Sequence, residues 1–210
     1  MIELYDGRGK IYTAELLTLS RSGASVRILS AAEDKEDDDP ALHLVQGILK
    51  GKKMDFLVQK ATELGVHTFQ PLLSRYCENR GRNSRQFERW QRIMLEACKQ
   101  CGRPRPMVIA PTTELDQLPT VPGAKKIVLW EDEKDNPLRG SLVAGREQVL
   151  LLVGPEGGLH PGEIASLRRL GYEAVTLGRR TLRAETAALA AVAITQHLLS
   201  FPGTDAEPGK

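Results

Sequence analysis

Short apolar runs recur along most of this chain, and from residue 41 onward they alternate with segments of helical spacing. Lys10 to Leu17 and Ala24 to Leu29 read as strands joined through Ser22-Gly23. An acidic run from Glu33 to Asp39 ends at Pro40 and reads as a solvated linker at a domain boundary. Leu42 to Leu49 is a buried-strand candidate. Met54, Leu57, Val58, Ala61 and Leu64 then fall on one helical face, which predicts an amphipathic helix ending at Gly65. Val66 to Leu73 returns to strand. Ser84 to Cys101 is a second helix, with Phe87, Trp90, Ile93, Met94 and Ala97 on one side.

Strand candidates follow at Met107–Ala110, Lys126–Trp130, Val149–Val153 and Ala174–Leu177, and Pro161 opens a helix running to Leu170. This alternation predicts an α/β fold, a mainly parallel sheet with helices on both faces. The expected organisation is a β unit over 1–36, an acidic linker over 37–40, an α/β domain over 41–203 and a frayed tail over 204–210. The final helix, Thr186 to Ile194, is apolar nearly all round and needs cover on every side. A second subunit is the expected cover, so the chain should form a homodimer.

Of 210 residues, 41% are hydrophobic and 27% charged, enough for a core and a soluble surface. No apolar run reaches membrane-spanning length, and the start lacks the basic and apolar regions of a signal peptide. Three cysteines without framework spacing fit a reducing compartment, so a cytoplasmic location is expected. Residues 1–40 carry 5 Lys/Arg against 9 Asp/Glu, residues 41–110 carry 13 against 5, and residues 111–210 carry 11 against 13. The basic middle is either a phosphate-facing surface or a set of solvated Arg-rich helix faces.

Two glycine-centred loops carry the chemistry. One is Leu151-Leu152-Val153-Gly154-Pro155-Glu156-Gly157-Gly158, and the other runs Leu177-Gly178-Arg179-Arg180-Thr181-Leu182-Arg183-Ala184-Glu185-Thr186-Ala187-Ala188. Each follows a buried-strand candidate and leads into a helix. Either loop alone could be a mere tight turn. Loops at the carboxyl ends of parallel strands are nevertheless where α/β proteins bind ligands, and two so close in sequence suggest one pocket. Neither a GxGxxG nor a GxxxxGK[ST] pattern is present, which argues against the ordinary dinucleotide and phosphate-loop readings.

In order and spacing, these loops resemble the ribosomal RNA small subunit methyltransferase E family of the SPOUT superfamily, which acts on uridine N3. The resemblance extends through Lys53-Met54-Asp55, Lys60 to Val66 and Glu96 to Arg103, and covers the chain to about Phe201. It implies a SPOUT domain with a C-terminal trefoil knot, dimerisation through the final segment, and a preceding PUA-like β-barrel that binds RNA. The strands that open this barrel in the family have no counterpart before Ile2, so a partial, open-edged barrel is expected. The implied reaction is methyl transfer from S-adenosylmethionine to N3 of a uridine in 16S small-subunit ribosomal RNA, on the assembled 30S subunit.

For the cofactor, the expected contacts are Trp130, Leu152, Val153, Gly154, Pro155, Gly157, Gly158, Leu177, Gly178, Leu182 and Thr186, with the glycines admitting close backbone approach. For RNA they are Lys50, Lys53, Arg75, Gln100 and Arg103. Loss of the uracil N3 proton spreads charge onto two carbonyl oxygens, and a guanidinium beside them lowers the barrier. Arg183 and Arg103 are the candidates. Glu185 could accept a proton, but a carboxylate at the start of the last helix is also favoured structurally, and that role is preferred.

No metal is expected. Cys98 and Cys101 form a CxxC late in a helix without a second pair or a nearby His, and the four histidines lie at no ligand spacing. Trp90 reads as core rather than as a stacking platform. Two other functions stay open: a SPOUT enzyme for another RNA position, and a non-catalytic RNA-binding assembly factor.

Overall fold

The computed structural model describes residues 1–34, 41–78, 84–142 and 148–200. The expected linker over 37–40 and the tail over 204–210 lie outside them. The first unit is an antiparallel sheet of β1 (Ile2–Tyr5), β2 (Lys10–Ser20) and β3 (Gly23–Glu33), in that order. Strand β1 was not evident in the sequence, being only four residues long. Register shifts at Thr13/Ala14 and Leu16/Thr18 interrupt the β2–β3 pairing. Ala14 is fully buried, whereas Leu16, Leu17, Leu19, Ile28 and Leu29 are exposed. Arg105 joins this sheet to the rest through the Asp34 carbonyl at 3.4 Å and its carboxylate at 3.7 Å.

The second unit is a seven-stranded parallel sheet. Its strands are β4 (Leu42–Gly47), β5 (Thr68–Leu73), β6 (Val108–Ile109), β7 (Thr113–Glu114), β8 (Lys125–Leu129), β9 (Val149–Val153) and β10 (Glu173–Val175). They lie in the order β10-β8-β9-β4-β5-β6, with β7 also pairing β5. Helices α1 (Lys53–Glu63), α2 (Ser84–Cys101), α3 (Leu138–Ser141), α4 (Pro161–Arg169) and α5 (Ala184–Ser200) connect or follow the strands. The expected parallel sheet covered on both faces is therefore present.

Strand pleating divides the core. Leu42, Leu44, Val149, Leu151 and Val153 pack with α1, α2 and α5, while Val45, Leu150 and Leu152 pack with Ile164 and Leu167 of α4. Strand β4 ends at Gly47 rather than Leu49, and an added Cβ at Gly47 would overlap Pro155, so the segment after β9 lies close against the strand end. Trp90 is core, as its helical position predicts. Helix α5 is not covered all round within one chain: Ala188, Ala191, Val192, Thr195 and Leu199 are buried, but Ala193 and Ile194 are exposed.

Candidate active site

Strands β8, β9 and β10 end side by side, and the chain leaves them at Trp130, Gly154 and Thr176. The loops that follow enclose a cavity of about 520 Å³, within the rough 300–1,000 Å³ of small-molecule sites. Trp130, Val153, Leu177 and Leu182 give it apolar walls. Arg168 lies over the Trp130 ring at 5.4 Å from its centroid and steadies that wall from outside.

Nine of the residues expected to hold a cofactor line this cavity: Trp130, Val153, Gly154, Pro155, Gly157, Gly158, Leu177, Gly178 and Leu182. Two do not. Leu152 is fully buried and packs towards α4, since neighbours on a strand face opposite ways and Val153 takes the cavity side. Thr186 is exposed on α5, where Ala184 and Ala187, three positions apart, turn towards the cavity instead.

Three of the cavity glycines also have close neighbours within the protein. Added Cβ atoms at Gly154, Gly157 and Gly158 would press on Leu159, Tyr76 and Glu131, so these three absorb contacts within the protein. Gly178, like Gly158, has a positive φ (+124° against +70°), but nothing lies within 4 Å of its Cβ direction, while its N–H donates to Thr176 Oγ1 at 3.1 Å and its C=O accepts from the same hydroxyl at 3.2 Å. Gln46 was missed in the sequence. It is fully buried at the end of β4, and its Nε2 donates to Gly47 O at 2.9 Å and Gly154 O at 3.0 Å. The available signal was an amide near the end of a mostly apolar strand that also carries His43.

Charge is organised around Lys53. Its Nζ pairs with Glu156 Oε1 at 3.1 Å and Glu185 Oε2 at 3.8 Å. Glu156 also accepts the Lys50 N–H at 3.1 Å, beside the start of α1, which has no capping side chain of its own. Burial pushes the Glu156 carboxyl up, but the backbone N–H donors of Lys50 and Glu156 and the Lys53 ammonium outweigh it and hold it below its ordinary value. Glu185 occupies the first turn of α5, the favoured end for a carboxylate, and does not line the cavity.

Arg183 immediately precedes α5, its carbonyl accepting the Ala187 N–H at 2.8 Å, and it lines the cavity together with Arg179 and Arg180. That wall is therefore cationic, and Arg179 and Arg180 belong to it although the sequence reading singled out neither. Arg103 is not brought to Arg183. Its guanidinium donates to Thr62 O at 3.0 Å near the end of α1, while the cavity adjoins the beginning of that helix at Lys53. Lys53 and Thr62 both lie in α1 and are about 14 Å apart along its axis.

The remaining basic candidates are dispersed. Lys50 pairs with Glu78, and the Arg75 N–H donates to Glu163 at 2.9 Å. Gln100 lines an open groove between α1 and α2, outside the cavity. His160 caps α4: its Nδ1 accepts the Gly162 N–H at 3.0 Å, and Glu163 in turn accepts the His160 N–H at 2.9 Å. Cys98 is buried, which pushes its thiol up, and all three cysteines are free. Among the described residues no group of three or more His, Cys, Asp or Glu could hold a metal. No helix among them is long and apolar enough to cross a membrane.

Residues 36–196 match the RNA methyltransferase domain family. The ribosomal RNA small subunit methyltransferase E of Aquifex aeolicus is 32% identical over 89% of this chain and 81% of its own length. The crystal structure of a ribosomal RNA small subunit methyltransferase E from Neisseria gonorrhoeae, bound to S-adenosyl methionine, superposes with a TM-score of 0.82 at 36% identity, covering 94% of this chain and 82% of that one. A methyltransferase of Legionella pneumophila in complex with its cofactor SAM gives 0.85 at 30% identity, covering 92% and 81%.

Proposed function

The chain belongs to the ribosomal RNA small subunit methyltransferase E family and is an S-adenosylmethionine-dependent ribosomal RNA methyltransferase, and we propose that its target is N3 of a uridine in 16S small-subunit ribosomal RNA, on the assembled 30S subunit. The observation that carries this reading is one cavity built by both glycine loops, with Arg183 on its wall. The residues present suit the cofactor. Trp130, Val153, Leu177 and Leu182 offer apolar walls to an adenine, and the missing side chain at Gly178 lets its edge come close to the backbone. When bound, S-adenosylmethionine supplies an electrophilic methyl group on a sulfonium sulfur.

The rest is done by the chain. The loops hold the uracil N3 in line with the methyl group and exclude water. The N3 proton is given up to bulk water before the loops close over the base, and the Arg183 guanidinium stabilises the negative charge left on the flanking oxygens until N3 takes the methyl group. Arg179 and Arg180 extend the positive wall towards the RNA backbone. Arg103 keeps a structural role at the end of α1.

Four finer features belong to the same reading. They are a partial PUA-like RNA-binding unit over 1–36, a SPOUT domain over 41–203 with a trefoil knot at its C-terminal segment, a homodimer, and a cytoplasmic location. The exposed Ala193–Ile194 face of α5 supports the dimer. The deciding experiment is labelled methyl transfer to unmodified small subunits followed by nucleoside analysis. 3-Methyluridine is the expected product. A different methylated nucleoside would reassign the target, and cofactor binding without transfer would favour the assembly-factor reading.

A further inference from the structure

We propose that Lys53 is a positioning residue for methyl transfer: its ammonium ties the loop carrying Glu156 to the first turn of α5 at Glu185, and so sets the spacing between the two cavity walls. The proposal rests on the methyltransferase reading above and gives Lys53 a task other than the RNA contact expected from its charge.

Three parts of the chain converge on this one group. Lys53 opens α1, directly after the β4 turn; Glu156 belongs to the loop after β9; Glu185 lies just beyond the loop after β10. Glu156 is fixed from a second side by the Lys50 N–H. Glu185 Oε2 is buried without a hydrogen-bond partner, so the Lys53 ammonium is the positive charge set against it. Without that ammonium, two carboxylates would face one corner with nothing between them. The loops would spread, and Arg183, two residues before Glu185, would move with its loop.

A lysine that serves RNA phosphates points its ammonium to solvent and releases counterions on binding. Lys53 instead lines the cavity wall, with 37% of its side chain exposed and its charge already shared between two carboxylates. Its loss should therefore be felt in the cofactor site and not in the salt dependence of RNA binding.

The test measures S-adenosylmethionine affinity by calorimetry, and small-subunit RNA affinity across a salt series, on the full chain. Lys53→Met should weaken cofactor binding about tenfold and leave the slope of log affinity against log salt unchanged. Lys53→Arg should restore most of the affinity, as a long cation can still reach both carboxylates. Glu185→Gln should cost several-fold alone but less than about twofold in the Lys53→Met background, the signature of a shared interaction. Unchanged cofactor affinity in Lys53→Met, or a salt slope reduced by about one, would overturn the proposal. If Lys53→Met does not fold, Glu185→Gln alone carries the test: normal cofactor affinity in it overturns the tie. Failure of the wild-type chain to bind cofactor would instead sink the proposed function.

Discussion

Gln46 and Gly154 stand 108 positions apart in the chain, yet the Gln46 amide donates to the Gly154 carbonyl at 3.0 Å. The same amide reaches Gly47 O at 2.9 Å, so one buried side chain fastens the end of β4 to the start of the first glycine loop. A strand end and a ligand loop are locked together where both leave the sheet.

Replacing Gln46 with Leu keeps the bulk but strands two carbonyls away from water. An unmet buried polar group costs roughly 1–3 kcal/mol, so Gln46→Leu should lower the urea midpoint measurably. Because the affected loop lines the cavity, cofactor affinity should fall as well. A variant with normal midpoint and normal affinity would show that the lock is dispensable.

Arg183→Ala should slow single-turnover methylation by about 10²–10³ at saturating RNA, the usual effect of removing one well-placed donor from a developing charge. Cofactor affinity should change little. Arg183→Lys should recover only part of the rate, because an ammonium cannot span two acceptors. A parallel fall in cofactor affinity and thermal midpoint would mean that Arg183 props the loop.

Acid should weaken the fold through Glu156 and Glu173. Glu173 is held below its ordinary value chiefly by its hydrogen bond to Lys125, despite some burial, and Asn136 and Ser141 add to this. A carboxyl depressed in the folded state stabilises it at any pH above the unfolded value, about 4.3 for Glu, and the benefit disappears as pH falls through the lower folded value. The thermal midpoint should therefore drop between about pH 5 and pH 3. Glu156→Gln and Glu173→Gln should each flatten that drop while lowering the midpoint at pH 7. A slope identical to wild type in both variants would place the acid sensitivity elsewhere.

Ile194 is 40% exposed on a helix that is otherwise strongly apolar. Under the proposed homodimer, Ile194→Asp puts a charge into the subunit contact. Light scattering at micromolar concentration should give a dimer mass for wild type and a monomer mass for the variant. A wild-type monomer would remove the dimer from the functional reading.

The sheet was legible because its strands are apolar on both sides, and the first two helices because one face of each is apolar. Strand β1 and the two-residue β6 and β7 were hard to define because elements so short owe their form to their neighbours. The cavity could be anticipated from the two glycine loops, but not the side of each residue that faces it. Leu152 shows this: one step along a strand reverses orientation, and period-two reasoning would have separated it from Val153. Arg103 lies away from the cavity because its place follows from where α1 ends, which its neighbours in sequence do not show. The meeting of Lys53 with Glu156 and Glu185 depends on contacts across more than a hundred residues, which no local pattern encodes.

Strand β4 takes β9 as a neighbour, pairing Leu42 with Val149, and β9 in turn is flanked by β8. Such long-range parallel pairing has to close large loops before it yields any reward, so assembly should be slow. The cavity needs the segments after β8, β9 and β10 together, hence it exists only once nearly the whole chain has been made and packed. The methyl donor can then hold only finished molecules. At a hundredfold excess over its dissociation constant, it would favour the native state by about 2.7 kcal/mol. Its cellular supply would thus act on the amount of folded enzyme as well as on the speed of the reaction.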